Sequence, residues 1–247
     1  IFRNPHITPT LDELAMYLAY SSSLRSADLS RQVGAVIVSK DGDIVSIGAN
    51  DVPKFGGGLY WPNDKGKCRD VEKKKDSNQL EKHRILRKIM KKISKEIAME
   101  IKNSFHSKSK KEKNLLTQTI DKFSARFQNA GSNKLIAKGK KWLKETGVLD
   151  ITEYGRAVHA EMEALLSCAR SGVSPRGGTL YSTTFPCHNC AKHIVDSGIK
   201  RVVFVEPYPK SKAKDLHKDS IHLPHENSKP SSYSGKVSFE PFVGVGH

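Results

Sequence analysis

The sequence predicts an α/β protein in three layers, a mixed five-stranded sheet between helices, interrupted by a basic helical insertion. Three observations carry this. Apolar, β-branched runs alternate with helical patterns in the first 60 and last 100 or so residues. A strand–helix–strand unit over 178–206 requires two parallel strands, because a tight hairpin cannot join them. Between about 64 and 150, strand patterning vanishes and a lysine-rich 3.6-residue periodicity replaces it.

The first element is a helix. Thr10 and Glu13 form a capping-box pattern, and Leu11, Leu14, Ala15, Leu18 and Ala19 mark one apolar face running to about Arg25. VGAVIV, 33–38, is a continuous strand run, Asp41-Gly42 a turn signal, and DIVSIGA the antiparallel return strand. GGGLYWPNDKG, 56–66, is irregular. The insertion begins near Asp64. Ile85, Ile89, Ile93, Ile97 and Ile101 lie four apart in one long amphipathic helix, and Leu115, Leu116, Ile120, Phe123 and Phe127 define a second. After Asp150 the alternation resumes. A helix spans 156–171 and stops at Gly172, and GTLYSTT is a strand. A helix from Cys187 to about Ser197 follows, with Gly198 at its C′ position. RVVFVE is a strand, 215–221 a short helix and VSFEPF the fifth strand. The expected organisation is therefore 1–63 and 151–247 as two parts of one α/β domain, with 64–150 inserted.

Composition narrows the function classes. Mean hydropathy is −0.52, and no run approaches the roughly 20 apolar residues of a membrane span. No secretory leader is visible. Four cysteines (Cys68, Cys168, Cys187, Cys190) make no disulfide framework in 247 residues, which points to a reducing, cytoplasmic setting. The formal charge of +16 favours anionic partners, and about 25 of the 42 Lys and Arg fall between Lys65 and Lys144. The chain opens on IFRNP and closes on GVGH, ends that read as cut from a longer protein with further domains. No P-loop motif occurs in it.

Chemistry concentrates in VHAEM, 158–162, and FPCHNCA, 185–191. Alone, Cys187-x-x-Cys190 reads as a redox dithiol, a ligand pair or coincidence; His159 alone reads as structural and Glu161 as a solvated charge. Together they offer one imidazole and two thiolates, a zinc donor set that leaves one position open for water. Cys168 lies nine residues beyond His159 on the same helix, more than about 13 Å along the axis, and cannot join them. Pro186 starts a helix whose positive end favours thiolate. Zinc would bring the pKa of a bound water toward about 7, and Glu161 is placed to carry its proton. A redox role lacks the thioredoxin-like order, and a structural zinc normally has a fourth protein ligand.

The pattern H-x-E…P-C-x-x-C, here His159-Ala-Glu161 and Pro186-Cys187-His-Asn-Cys190, resembles the zinc-dependent base deaminases. The element order resembles the cytidine deaminase-like fold. Within that superfamily, VGAVIV with GAND, VHAEMEALL and GTLYSTTFPCHNCAKHIVDSGIKRVVF look like the deoxycytidylate deaminases. FGGGLYW, DSN at 76–78 and EPYPKSKA at 206–213 look like the bacterial anti-phage dCTP deaminases, which join a P-loop kinase-like domain to the deaminase. The resemblance covers about 1–63 and 151–243.

By position, this resemblance implies zinc on His159, Cys187 and Cys190, with Glu161 moving the proton. It implies Asn50 on the sugar hydroxyl and Phe185 at the base. Lys54, Lys210 and Lys212 are candidates for the phosphates. The same residues also read as a turn amide, a core ring and solvated surface charges. Glu163 stands where ordinary dCMP deaminases carry Asn, which leans toward the defence subgroup. Cys68, His83 and His106 are candidates for a second zinc, at a spacing that follows no motif. The expected activity is hydrolytic deamination of a free deoxycytidine nucleotide (dCTP, with dCMP as a second substrate), depleting dCTP in anti-phage defence. A homo-oligomer is expected, with a regulatory RNA or the kinase-like domain as further partners. The competing reading is a polynucleotide deaminase, acting on tRNA adenosine or DNA cytosine, that grips nucleic acid through the insertion; a third is a non-catalytic binding scaffold.

Overall fold

The computed structural model describes residues 6–104, 110–129, 140–143, 154–224 and 235–244. The chain forms two compact units, one of residues 1–75 with 156–247 and one of 76–155.

The first unit is built on α1 (Leu11–Ser23), β1 (Gly34–Val38), β2 (Ile44–Ala49) and the short α2 (Asp70–Lys73). After the second unit come α5 (Ala160–Ser171), β3 (Thr179–Thr184), α6 (His188–Asp196), β4 (Arg201–Glu206), α7 (Ala213–Leu216), β5 (Ile221–His222) and β6 (Val237–Pro241). Six strands form one sheet in the order β2-β1-β3-β4-β6-β5. The pairs β1–β2 and β1–β3 are antiparallel, and β3–β4, β4–β6 and β5–β6 are parallel. The expected five strands become six because residues 217–221 of the expected 215–221 helix are not helical. α7 stops at Leu216, and Ile221 and His222 pair with Val237 and Ser238. Two residues are too few to display a period of two.

Side-chain alternation sorts the strands onto two faces. Ala35, Ile37, Leu180 and Val202 join Ala160, Ala164, Ala191, Ile194 and Phe239 in one core, beneath α5 and α6. Val36, Val38, Tyr181 and Val203 pack on the other face against Ala15, Met16 and Ala19 of α1. Each fully buried Ile or Val contributes about 1.5–3 kcal/mol. The capping box of Thr10 and Glu13 forms as expected, but the face of α1 differs. Leu11 and Leu14 are exposed, while Ala15, Met16 and Ala19 are buried. The cause is close approach: a Cβ on Gly34 would lie 1.8 Å from the Ala19 carbonyl oxygen. Ala15 and Ala19 therefore lie against the sheet with Met16 beside them, Leu18 packs at the margin, and Leu11 and Leu14 lie outside. Gly48 plays the same part on β2, where a Cβ would lie 2.1 Å from the Ala160 oxygen.

A polar staple ties α1 to the sheet. Arg201 donates to both carboxylate oxygens of Asp12 at 2.9 and 2.8 Å and to Glu240 at 2.8 Å, and Tyr181 donates its hydroxyl to Asp12. The Arg201 hydrogen bonds hold the Asp12 carboxyl below its ordinary pKa.

The second unit contains α3 (Ser77–Ser104) and α4 (Lys110–Asn129), which pack together. Its buried apolar side chains include Leu86, Met90 and Ile120, with Leu143 against Leu86 and Met90. Ile89, Ile93, Ile97 and Ile101 are exposed, so the isoleucine row lies beside the buried seam rather than in it. The side chains of Leu116, Phe123 and Phe127 lie outside the described residues.

Candidate active site

Two helix starts meet at the site. The α5 helix begins one turn later than its apolar pattern indicates, because Val158 is held in extended backbone: its N–H donates to the Asp51 carbonyl at 3.0 Å. His159 then becomes the N-cap of α5, in extended conformation, with its side chain free of capping duty. Cys187 is the N-cap of α6, its sulfur accepting from the Cys190 N–H at 3.5 Å. The His159 Nδ1 lies 3.2 Å from Cys187 Sγ and 3.3 Å from Cys190 Sγ. Among the described residues this is the one group of three side chains whose donor atoms could hold a metal ion, all within 4.8 Å of one another. Zinc bonds of about 2.0 Å to nitrogen and 2.3 Å to sulfur in a tetrahedron separate N from S by roughly 3.5 Å. The donor atoms need little movement to meet that geometry.

Charge is shared unevenly among these groups. Hydrogen bonding from Cys190 and from His159 lowers the Cys187 thiol to about 4. The bond to Cys187 outweighs burial and raises His159 to about 9. Cys190 is pushed well up, first by its bond to Cys187 and then by burial. These groups favour a Cys187 thiolate beside a His159 imidazolium and a Cys190 thiol, and a cation held here would displace the imidazolium and thiol protons. Two thiolates and a neutral imidazole would then balance a divalent charge.

Glu161 sits in the first turn of α5, 4% exposed, and its Oε2 accepts from the Cys190 thiol at 3.5 Å. Burial raises its pKa, as a proton carrier requires. Cys168 is fully buried in the core two turns further on.

The remaining candidates are spread around this centre. Asn50 is buried at the end of β2, where its Oδ1 accepts from the Val33 N–H at 2.7 Å and its Nδ2 donates to the Arg31 carbonyl at 2.8 Å. One lone pair and one hydrogen of the amide remain for a ligand. Phe185 packs edge-on to Phe204 at 4.9 Å and tilts against Phe239, so its ring belongs largely to the core. Ser211 donates its hydroxyl to the Pro186 carbonyl at 2.8 Å, which brings the loop carrying Lys210 and Lys212 to the start of α6. Lys212 itself faces Asp215 at 3.8 Å. Lys54 pairs with Asp64 at 3.2 Å and lines a cavity of about 370 Å³ with Gly57, Gly58, Glu163 and Arg170. None of the three metal-group side chains lines that cavity. Glu163 is taken up there by Arg170 at 2.6 Å. Cys68 belongs to the first unit and His83 to the second; His106 lies outside the described residues.

A family model described as the cytidine and deoxycytidylate deaminase zinc-binding region matches residues 9–206. The chain belongs to this family. The His159–Cys187–Cys190 group is the family's kind of zinc site, and zinc is the metal its donor set fits. Among curated relatives, a deoxycytidylate deaminase of Enterobacteria phage T2 is 51% identical over 55 residues, which are 22% of this chain and 29% of the phage enzyme. ComE operon protein 2 of Bacillus subtilis is 42% identical over 79 residues, 32% of this chain and 41% of that protein. The chain spans less than half the length of these relatives. Among solved structures, a dCMP deaminase from the cyanophage S-TIM5, in complex with dCMP and dUMP, aligns with a TM-score of 0.46 at 18% identity. That alignment covers 96% of this chain and all of the cyanophage chain.

Sequence reasoning missed two contributors. Asp51 and Arg69 form a buried ion pair at 2.6 Å beneath the strand end that carries Asn50. Arg31 reaches the end of β3. Partners 18 and 153 residues apart leave no local pattern.

Proposed function

We propose that this protein is a zinc-dependent deaminase that hydrolyses a free deoxycytidine nucleotide to the uracil nucleotide and ammonia. The observation that carries the proposal is Glu161: a buried carboxylate, its pKa raised by burial, beside a three-donor metal group. His159, Cys187 and Cys190 would hold the zinc, which supplies a water activated at neutral pH. Glu161 would take a proton from water and deliver it to ring N3 as a C–O bond forms at C4, then move the proton of the new C4 hydroxyl to the amine as the C4–N bond breaks, ammonia leaves and the C4 carbonyl forms. The Asn50 amide holds the 31–33 segment and offers its remaining hydrogen and lone pair to the sugar hydroxyl. Phe185 backs the base, and Lys54, Lys210 and Lys212 are the cations for the phosphates.

The finer reading is dCTP as the preferred substrate and dCTP depletion in anti-phage defence. It is supported by FGGGLYW, DSN and EPYPKSKA and by the Glu163 exchange. The proposed setting is cytoplasmic, in keeping with four free cysteines. Among the described residues no helix is long and apolar enough to cross a membrane. A homo-oligomer, with a regulatory RNA on residues 64–150 or a kinase-like domain as a further partner, completes the proposal.

The test is ammonia release from dCMP, dCDP, dCTP, CTP and a cytosine-containing oligonucleotide, with zinc present. Turnover of a free deoxycytidine nucleotide is expected. Chelation should abolish it and lower Tm, and Glu161→Ala should abolish it with zinc content unchanged. Turnover of the oligonucleotide alone would establish the polynucleotide reading instead.

A further inference from the structure

Five residues outside the metal group close a ring of contacts on the backbone that leads into it. Arg69 donates from Nε and Nη2 to Asp51 Oδ2 at 2.9 and 2.6 Å, and both side chains are buried. The other Asp51 oxygen accepts from the Val52 N–H at 2.8 Å, so the carboxylate is held in one orientation. The Asp51 carbonyl accepts from the Val158 N–H at 3.0 Å across an isolated antiparallel bridge. Two residues before Val158, Arg156 donates to Asp70 at 2.8 Å. Asp70 follows Arg69 in the chain, which completes the ring. All of these residues belong to the first unit. Three noncovalent links and two short chain segments thus fix where the 156–158 backbone runs.

The ring meets the site at Val158. The next residue, His159, leaves the bridge extended, at φ −78° and ψ 157°, and opens α5 as its N-cap. Its Nδ1 lies 3.2 and 3.3 Å from the two cysteine sulfurs. Stability alone does not account for the buried pair, because taking two charges out of water is costly and apolar residues of like volume often serve a fold as well. An apolar pair lacks direction, whereas two N–H groups converging on one carboxylate oxygen fix angle as well as distance. We propose that Arg69 is a positioning residue for the metal group: by locking Asp51 it aims the carbonyl that holds Val158, and so sets where His159 presents its imidazole. This inference rests on the proposed function for the role of His159 as a zinc donor, and it adds what keeps that donor in place.

Zinc affinity, amide exchange and urea unfolding of the full chain test it. The proteins are wild type, Arg69→Met, Arg69→Lys, the Asp51→Asn, Arg69→Met double variant, and Asp12→Asn as a control at the Arg201 staple. In Arg69→Met, competition against a chromophoric chelator should show zinc binding about 10-fold weaker, the lower end of what a lost partner behind a metal ligand costs. Hydrogen exchange over residues 156–160 should quicken. Arg69→Lys keeps the charge without the fork and should recover stability more fully than zinc affinity. The double variant removes the unpaired carboxylate, so its urea midpoint should return toward wild type while zinc binding stays weak. It also serves should the single variant fold poorly. Asp12→Asn should lose stability with zinc affinity unchanged. Wild-type zinc affinity in both Arg69→Met and the double variant sinks the inference. So does a double variant that regains stability and affinity together, or an equal loss of affinity in Asp12→Asn. Wild-type protein that binds zinc but releases no ammonia from any deoxycytidine nucleotide sinks the proposed function, and zinc affinity then decides the inference by itself. Wild-type protein that binds no zinc sinks both.

Discussion

Replacing Gly48 with alanine tests the coupling between sheet and site. The added Cβ would lie 2.1 Å from the Ala160 oxygen and 2.6 Å from the Ala164 nitrogen, both backbone atoms of α5. Favourable contacts to carbon begin near 3.5 Å, so the helix start must retreat by more than about 1 Å. Rotamer changes cannot relieve a clash with backbone. Overpacking of this kind costs about 1–3 kcal/mol, and the upper end applies because the Ser46 hydroxyl bond to the Ala164 carbonyl, 2.9 Å, is strained with it. Ala160 lies between His159 and Glu161, so the same retreat moves a candidate metal donor and the buried Glu161 carboxylate. A displacement of about 1 Å is worth roughly 100-fold in rate. Urea unfolding followed by circular dichroism should show a stability loss near 3 kcal/mol at unchanged m-value. Zinc competition against a chromophoric chelator should show weaker binding, and deamination should fall about 100-fold. A variant with wild-type midpoint and zinc affinity would mean that α5 does not approach β2 as closely as described.

Two further outcomes follow from buried and half-buried charge. Arg69→Met removes the fork that bonds Asp51 through Nε and Nη2 at 2.9 and 2.6 Å. It leaves a buried carboxylate unpaired and should cost about 3–5 kcal/mol in urea unfolding, whereas the Asp51→Asn, Arg69→Met double variant should regain much of it. The native Asp12 pKa lies below the unfolded value of 3.8, chiefly through Arg201. Its contribution is therefore complete above the unfolded value and is lost as pH falls through the native one. Asp12→Asn should be less stable than wild type by a constant amount above about pH 5, and the gap should close as pH drops below about 4. A gap that widens in acid would reverse the sign assigned to the pair.

The strand and helix order of the sheet unit was legible because local chemistry announces it. VGAVIV, GTLYSTT and RVVFVE are β-branched runs, and Gly198 closes α6 at φ 78°. The zinc group was legible for a different reason: short motifs fix His159 and Cys187 at helix starts, and a helix start aims its first side chains at a common point. What stayed hidden depends on distance in space. The α1 face was assigned in part: Ala15, Leu18 and Ala19 pack toward the sheet, but Leu11 and Leu14 are exposed and Met16 takes a buried place the pattern did not give it. β5 was missed, with Ile221 read as the end of a helix, because its pairing to β6 is a property of the sheet edge. Arg31 drew no reading from the sequence because Thr184 lies far along the chain.

Arg156, where the chain re-enters the sheet unit, donates to Asp70 at 2.8 Å and to the Cys68 carbonyl at 3.3 Å, just before the point where the chain leaves it at Lys75. Exit and return are thus clamped side by side, like the two contacts of a socket. Whatever is wired between them can be lengthened, exchanged or shortened to a simple turn while the sheet keeps its register.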